Sequence, residues 1–341
     1  GYGGVGIVEL LLQHPEVEIV TLVAREAVGQ TIDRVYPHLS GFCSLPILAA
    51  DDPRAGEPVD VVFCATPDGV GMTMAEEIVG QKSRLIDYSG DFRFESAEDY
   101  ADYAGRIGRD PRHAASHLLG SNVYGLAELH REKLSGAHIV GNPGCFAVSC
   151  ILVLAPAVQA GLPSPDSLIC DCITGVSGAG KKVNPGFHFP ARYEQMNAYK
   201  LAGHQHVCEV EHQLGHLAGN PVRLTFTAHV APVCRGIMST LYGTLTRDVK
   251  EEELLAMYRE FYRDSPFVRC FDSRTPMGTH QVRGTNFCNL TVSVDARCRR
   301  MRVVSHIDNL MKGQAGSALQ NLNLMFGLRE TAGLWRPGAY P

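Results

Sequence analysis

Cys145 lies in the stretch Gly141-Asn142-Pro143-Gly144-Cys145-Phe146-Ala147, between a strand end, Ala137-His138-Ile139-Val140, and an aliphatic helix predicted over 146–160. A cysteine at a helix N-terminus meets unpaired N–H groups and the positive end of the macrodipole. Both favour thiolate over thiol and make the sulfur a usable nucleophile near neutral pH. The same N–H groups can stabilise an oxyanion on a carbonyl carbon attacked by that sulfur. A free cysteine is more often a small buried hydrophobe, but two glycines and a proline crowded against this one tighten the turn and let a substrate approach the backbone. Asn142, inside the turn, is a candidate substrate contact.

A cysteine nucleophile needs an acid/base partner. The stretch Gly203-His204-Gln205-His206-Val207-Cys208-Glu209 offers His204 or His206 as proton carrier and Glu209 as the carboxylate that orients it. A His-x-His pair with an acid also suits zinc or iron. No third His/Asp/Glu stretch is well spaced and a cysteine nucleophile stands elsewhere, so no metal site is expected. His138 and His229 sit inside apolar runs and read as satisfied core groups.

The elements that must position these residues begin with Gly1-Tyr2-Gly3-Gly4-Val5-Gly6, which leads into an amphipathic helix over 8–14. Glycines opening a helix let a dinucleotide pyrophosphate approach the backbone, which makes Gly1, Tyr2 and Gly4 candidate cofactor contacts. Residues 16–23 read as a strand ending at Ala24-Arg25, where such a fold meets the adenosine ribose; Arg25, with no acid in place, favours NADP over NAD. A full fingerprint has a strand and a glycine before Gly1, so the first strand of the sheet is expected to be absent. Residues 59–67 form a near-continuous apolar run, as a doubly buried strand should, and end at Thr66-Pro67, two further candidate cofactor contacts. Residues 84–87 form another strand, ending in Tyr88-Ser89-Gly90-Asp91-Phe92-Arg93, with Arg93 a candidate substrate contact. Strands alternating with helices predict an α/β, Rossmann-type, mostly parallel sheet.

After residue 146 the texture changes. Strand runs at 168–176, 222–232, 237–245 and 286–295, with helices near 207–217 and 250–261, predict an α+β substrate and dimerisation domain on a mixed or antiparallel sheet. A long helix over 309–326, opened by Asp308-Asn309 and closed by Gly327, is expected to return to the first domain. The predicted division is 1–145 for the cofactor, 146–305 for the substrate, and 306–327 for the returning helix. Ser177-Gly178-Ala179-Gly180-Lys181-Lys182 lacks the first glycine and the Ser/Thr of a nucleoside-triphosphate loop, which excludes an ATPase. Ser177 and Gly178 remain candidate cofactor contacts, the lysines suit a phosphorylated substrate, and Arg235 is a further candidate anion contact.

The chain has 341 residues, 45% hydrophobic and 20% charged, with a formal net charge of -5, so neither nucleic acid nor a membrane surface is expected as partner. No apolar run reaches the length of a membrane span. Eleven scattered cysteines fit a reducing cytoplasm better than secretion. Cys170 and Cys172, one residue apart on a strand, are expected on opposite faces, forming neither disulfide nor zinc knuckle.

These stretches resemble the N-acetyl-gamma-glutamyl-phosphate reductases of the semialdehyde dehydrogenase superfamily almost end to end. The resemblance rests on the glycine turn into Glu9-Leu10, Asp87-Tyr88-Ser89-Gly90-Asp91-Phe92-Arg93, Val123-Tyr124-Gly125-Leu126 and Gly141-Asn142-Pro143-Gly144-Cys145. It continues through Ser177-Gly178-Ala179-Gly180, His204-x-His206-x-x-Glu209, Arg235-Gly236, Asp308-Asn309-Leu310-x-Lys312-Gly313 and Gln320-Asn321-x-Asn323. It departs from the family at Asp68, Phe146-Ala147 and Cys208. The resemblance implies that Cys145 attacks an acyl phosphate, that His204 or His206 is the acid/base, and that Asn321 neighbours the nicotinamide. It implies reductive dephosphorylation of N-acetyl-glutamyl 5-phosphate by NADPH, with inorganic phosphate as co-product, in a homo-oligomer, dimer or tetramer. Aspartate-semialdehyde dehydrogenase and a lysine-pathway acyl-phosphate reductase share this mechanism; a cofactor-free thiol hydrolase or acyltransferase is the rival from another class.

Overall fold

The computed structural model describes residues 1–339. Helix α1 (Tyr2–Leu11) opens the chain. It is followed by β1 (Leu22–Val23) and β2 (Ile47–Leu48), a short parallel pair separate from the main sheet. Then β3 (Val61–Cys64), α2 (Gly71–Gly80), β4 (Arg84–Asp87), α3 (Ala97–Arg106), β5 (Val123–Tyr124), α4 (Ala127–Leu134) and β6 (Ile139–Gly141) alternate. They build an all-parallel sheet of order β3-β4-β6-β5, the Rossmann-like arrangement expected. The strand expected over 16–23 shrinks to Leu22–Val23. Among the described residues β2 is the one strand between β1 and β3, and Glu16, Glu18 and Val20 are exposed.

Helix α5 (Cys145–Gln159) is buried continuously from Phe146 to Val158, as a helix apolar on all sides must be. It lies on the second sheet, sharing a core with Cys170, Ile237, Leu241 and Val303. That sheet contains β7 (Ile169–Thr174), β8 (Asn197–Tyr199), β9 (Thr225–Val230), β10 (Ile237–Thr244), β11 (Val268–Phe271), β12 (Cys288–Asp295) and β13 (Arg300–Ile307), in the order β11-β12-β13-β10-β7-β9-β8. It is mixed: β10 is antiparallel to β7 and β13, while β7 runs parallel to β9. Helices α6 (His206–Ala218) and α7 (Glu251–Phe261) pack beside α5 in the same core.

Two expectations fail here. Cys170 and Cys172 lie on the same buried face of β7, because side chains two apart in a strand share a face. His138 is exposed rather than buried, at the surface end of β6. The C-terminal helix is also two pieces: a widened π turn, Met311–Ala315, then α8 (Gly316–Met325). Within it Gly313 and Ala315 donate backbone N–H groups to the carbonyls of Asp308 and Leu310, five residues back. Helix α8 returns to the first half, where Ala318, Leu319, Leu322 and Met325 share a core with Ile7, Leu10 and Leu11 of α1. A buried His14 Nε2 to Asn323 Oδ1 bond of 3.0 Å ties the two helices together.

Candidate active site

Cys145 is the first residue of α5, after Gly144 as N-cap, and is partly exposed. Burial of its surroundings pushes the thiol up to about 11, opposed by the N–H groups of Phe146 and Cys145 and by the Arg93 charge. The helix terminus therefore lowers the thiol pKa without overcoming desolvation, and the resting sulfur is a thiol that needs a base. The backbone N–H groups aimed at the sulfur are those that can also hold an oxyanion there.

His206 is a candidate base beside Cys145. A Cβ built on Gly144 would fall 2.3 Å from His206 Nε2, so the imidazole lies directly against the residue preceding the nucleophile, and only glycine leaves it room. His206 Nδ1 is buried without a hydrogen-bond partner. Burial, then the Arg93 and Lys200 charges, hold His206 well below the ordinary imidazole range, so it is a neutral acceptor. His204 differs. Its Nδ1 accepts the His206 backbone N–H at 3.2 Å, and its ring is enclosed by Phe146, Tyr199 and Phe226. Burial, then the His206 and Lys200 charges, push it down to about 3.

Glu209 does not orient either histidine as expected. Its Oε1 accepts the Gly144 N–H at 2.9 Å and the Tyr124 hydroxyl at 2.7 Å, and its Oε2 pairs with Arg93 Nη1 at 3.2 Å. Arg93 donates its remaining bonds to the carbonyls of Asn142 and Tyr88. Only 7% exposed, it turns inward and makes a clamp for the cysteine turn. Tyr124, which the sequence did not single out as a functional residue, completes the clamp; its signal was the Val123-Tyr124-Gly125 strand end beside the Cys145 strand.

The C-terminal segment covers the other side. A Cβ on Gly313 would come 2.7 Å from the Cys145 Cβ. Asn142 Nδ2 donates to the Gln314 carbonyl at 3.0 Å, and Asn321 Nδ2 donates to the Gly125 carbonyl at 2.8 Å and to Asn142 Oδ1 at 3.2 Å. Both asparagines are buried, so they brace the turn. Arg235 pairs with buried Asp308 at 3.0 Å and keeps a 31% exposed side chain. Ser177 Oγ accepts from Asn309 Nδ2 at 3.0 Å, with Gly178 alongside, which joins that loop to the same segment.

The cofactor candidates gather at the N-terminus of α1. Gly4 faces the Ala65 side chain at the end of β3, and Gly3 faces the Gln314 amide; a Cβ on Gly3 would meet that amide at 2.8 Å. Thr66 Oγ1 is buried and unpartnered, while Gly1, Tyr2, Arg25 and Pro67 are exposed. Lys181 reaches Glu26 at 3.9 Å and the Tyr36 ring at 5.8 Å, which brings the Ser177–Lys182 loop over the same region. An open glycine helix start, an orphaned hydroxyl and two nearby cationic residues fit an anionic dinucleotide.

Together these elements define a class. Residues 1–137 match the family described as the semialdehyde dehydrogenase NAD binding domain, and residues 145–309 match its dimerisation domain. The aspartate semialdehyde dehydrogenase II structure from Vibrio cholerae is similar in fold, with a TM-score of 0.70 at 14% identity over 95% of both chains. The NADP-bound aspartate semialdehyde dehydrogenase of Candida albicans gives 0.64 at 13%, again over 95% of each chain.

Full-length relatives narrow the class. N-acetyl-gamma-glutamyl-phosphate reductases of Symbiobacterium thermophilum and Desulforudis audaxviator are 44% and 43% identical, over 100% of this chain and 97% of each relative. That of Bacillus cereus is 39% identical over 98% of the chain and 95% of the relative. The chain belongs to the N-acetyl-gamma-glutamyl-phosphate reductase family and is an oxidoreductase with a nicotinamide-binding domain. No helix among the described residues is long and apolar enough to cross a membrane.

Proposed function

We propose that the chain reduces N-acetyl-L-glutamyl 5-phosphate to N-acetyl-L-glutamate 5-semialdehyde with NADPH, releasing inorganic phosphate, as a cytoplasmic step of arginine biosynthesis. The observation that carries this reading is Cys145 at the tip of α5 with the neutral His206 imidazole against Gly144. His206 takes the Cys145 proton, and the sulfur displaces phosphate from the acyl phosphate to give a thioester. The Cys145 and Phe146 N–H groups hold the carbonyl oxygen as it becomes an oxyanion. When bound, the nicotinamide cofactor supplies the hydride that reduces this thioester. His206 returns its proton to the oxygen and recovers one as the thiohemiacetal collapses, leaving the aldehyde and the free sulfur.

Gly1, Tyr2, Gly4, Thr66, Pro67, Ser177 and Gly178 are assigned to the cofactor. Arg25 is assigned to an adenosine 2′-phosphate, supported by its exposure at the end of β1. Of the two arginines proposed for the substrate, Arg235 is the better candidate for its carboxylate, because Arg93 is occupied inside. The self-association implied by the dimerisation domain is assigned to a dimer or tetramer. The test is phosphate-dependent reduction of NADP by N-acetyl-glutamate semialdehyde, run beside aspartate semialdehyde and beside NAD. N-acetyl-glutamate semialdehyde with NADP is expected to give the highest kcat/KM, and Arg25→Asp should erode the preference for NADP. A preference for aspartate semialdehyde, or an Arg25→Asp enzyme with unchanged cofactor selectivity, contradicts the respective assignment.

A further inference from the structure

One cluster outside the catalytic machinery has the composition of a ligand set. Cys150 on α5 meets Cys170 and Cys172 on β7, with all three sulfurs within 4.8 Å of one another and 3.5 Å between those of Cys150 and Cys172. All three residues have zero exposure. A line of buried hydroxyls continues from them. Ser239, fully buried, stands opposite Cys172 in the sheet. Ser149 Oγ donates to Ser239 Oγ at 2.8 Å and shares a 2.6 Å bond with Ser305 Oγ.

We propose that Cys150, Cys170 and Cys172 form a three-coordinate site for a soft monovalent cation, Cu(I), buried between α5 and β7. An ion about 2.3 Å from each sulfur, the ordinary metal–thiolate distance, spaces three sulfurs in one plane about 4 Å apart, which matches this cluster. Soft thiolate ligands favour Cu(I), zinc and iron–sulfur clusters, and the number of ligands chooses among them. Zinc fits less well. It takes four ligands, and the group includes no fourth Cys, His, Asp or Glu among the described residues. Ser239, paired with Cys172 across the sheet, is the outer group nearest this ligand.

The site is tested anaerobically on the full-length protein with Cu(I) delivered from its coloured bicinchoninate complex. The wild type is expected to withdraw one equivalent from the chelator, to show three sulfur neighbours at about 2.3 Å by X-ray absorption, and to melt at higher temperature when loaded. Cys172→Ser should lose that equivalent, with Cys150→Ser and Cys170→Ser as replacements should it fail to fold. Ser239→Ala should weaken binding by about tenfold. The proposal is overturned by equal Cu(I) uptake in the wild type and these variants, by fewer than three sulfur neighbours in the wild type, or by a protein isolated with a Cys150–Cys172 disulfide.

Discussion

His204 and His206 are two residues apart in the sequence, and nothing in the His-x-His pattern separates their roles. Packing does. The Nδ1 of His204 is engaged by a backbone N–H and its ring by aromatic edges, while His206 lies on the glycine before the nucleophile. His206→Asn is therefore expected to lower kcat by about 10²- to 10⁴-fold, the range of a lost acid/base group. His204→Asn should cost about tenfold or less in kcat, as a loss of packing behind it. Steady-state kinetics of the two variants at one pH make the comparison, and the reverse order of losses would exchange the assignments. The same residue-level view explains what was legible. The nucleophile is readable from a cysteine among small turn residues at a strand-to-helix junction. The inward turn of Glu209 and Arg93 is not readable, because an Arg–Glu pair more than a hundred positions apart leaves no local pattern.

At the level of elements, alternation of apolar runs and helical periods is enough to read the parallel sheet and α5. Strand β13 is missed although Arg300-Met301-Arg302-Val303 alternates with the period of a strand. Its arginines make the segment look like a polar loop. The π turn is unreadable for another reason. Lys312 is fully buried there, bonded to Glu128 at 2.7 Å and to Gln320 at 2.8 Å, and that tertiary ion pair together with the Gly313 contact on Cys145 sets the backbone. Strand β4 ends on another buried group, Asp87, whose Oδ1 has no partner while Oδ2 accepts from Ser89. Burial, then the Asp91 charge, push this carboxyl up to about 8 from 3.8. Between those values the folded chain holds a proton that the unfolded chain has released. Stability therefore falls as pH rises through that window, by at most about 1.4 kcal/mol per pH unit. Asp87→Asn should flatten this slope, so its melting temperature gains on the wild type progressively from about pH 5 to pH 8. Parallel melting curves for the two proteins across that range would contradict the buried-acid reading.

In the whole molecule, the face of the mixed sheet opposite α5 remains half-buried, with Ile173, Met238, Tyr242 and Val304 on it. The same face also carries Asp171, Thr240 and Arg302, and the matched dimerisation domain makes it the face to test for contact with a second copy. Tyr242→Glu is expected to shift the species seen by analytical ultracentrifugation toward the monomer, and an unchanged sedimentation profile would remove this face from the interface. The larger division of labour converges on one sulfur. Helix α1 and the parallel sheet form the cofactor side, the mixed sheet carries the histidine helix, and the C-terminal segment closes over Cys145 from behind. The most direct measurement is the phosphate-dependent reduction of NADP by N-acetyl-glutamate semialdehyde with the Cys145→Ser protein, alongside its circular dichroism and melting curve. Activity abolished in a protein with the wild-type spectrum and melting temperature is the predicted result. Near-wild-type turnover by Cys145→Ser would contradict covalent catalysis at this residue.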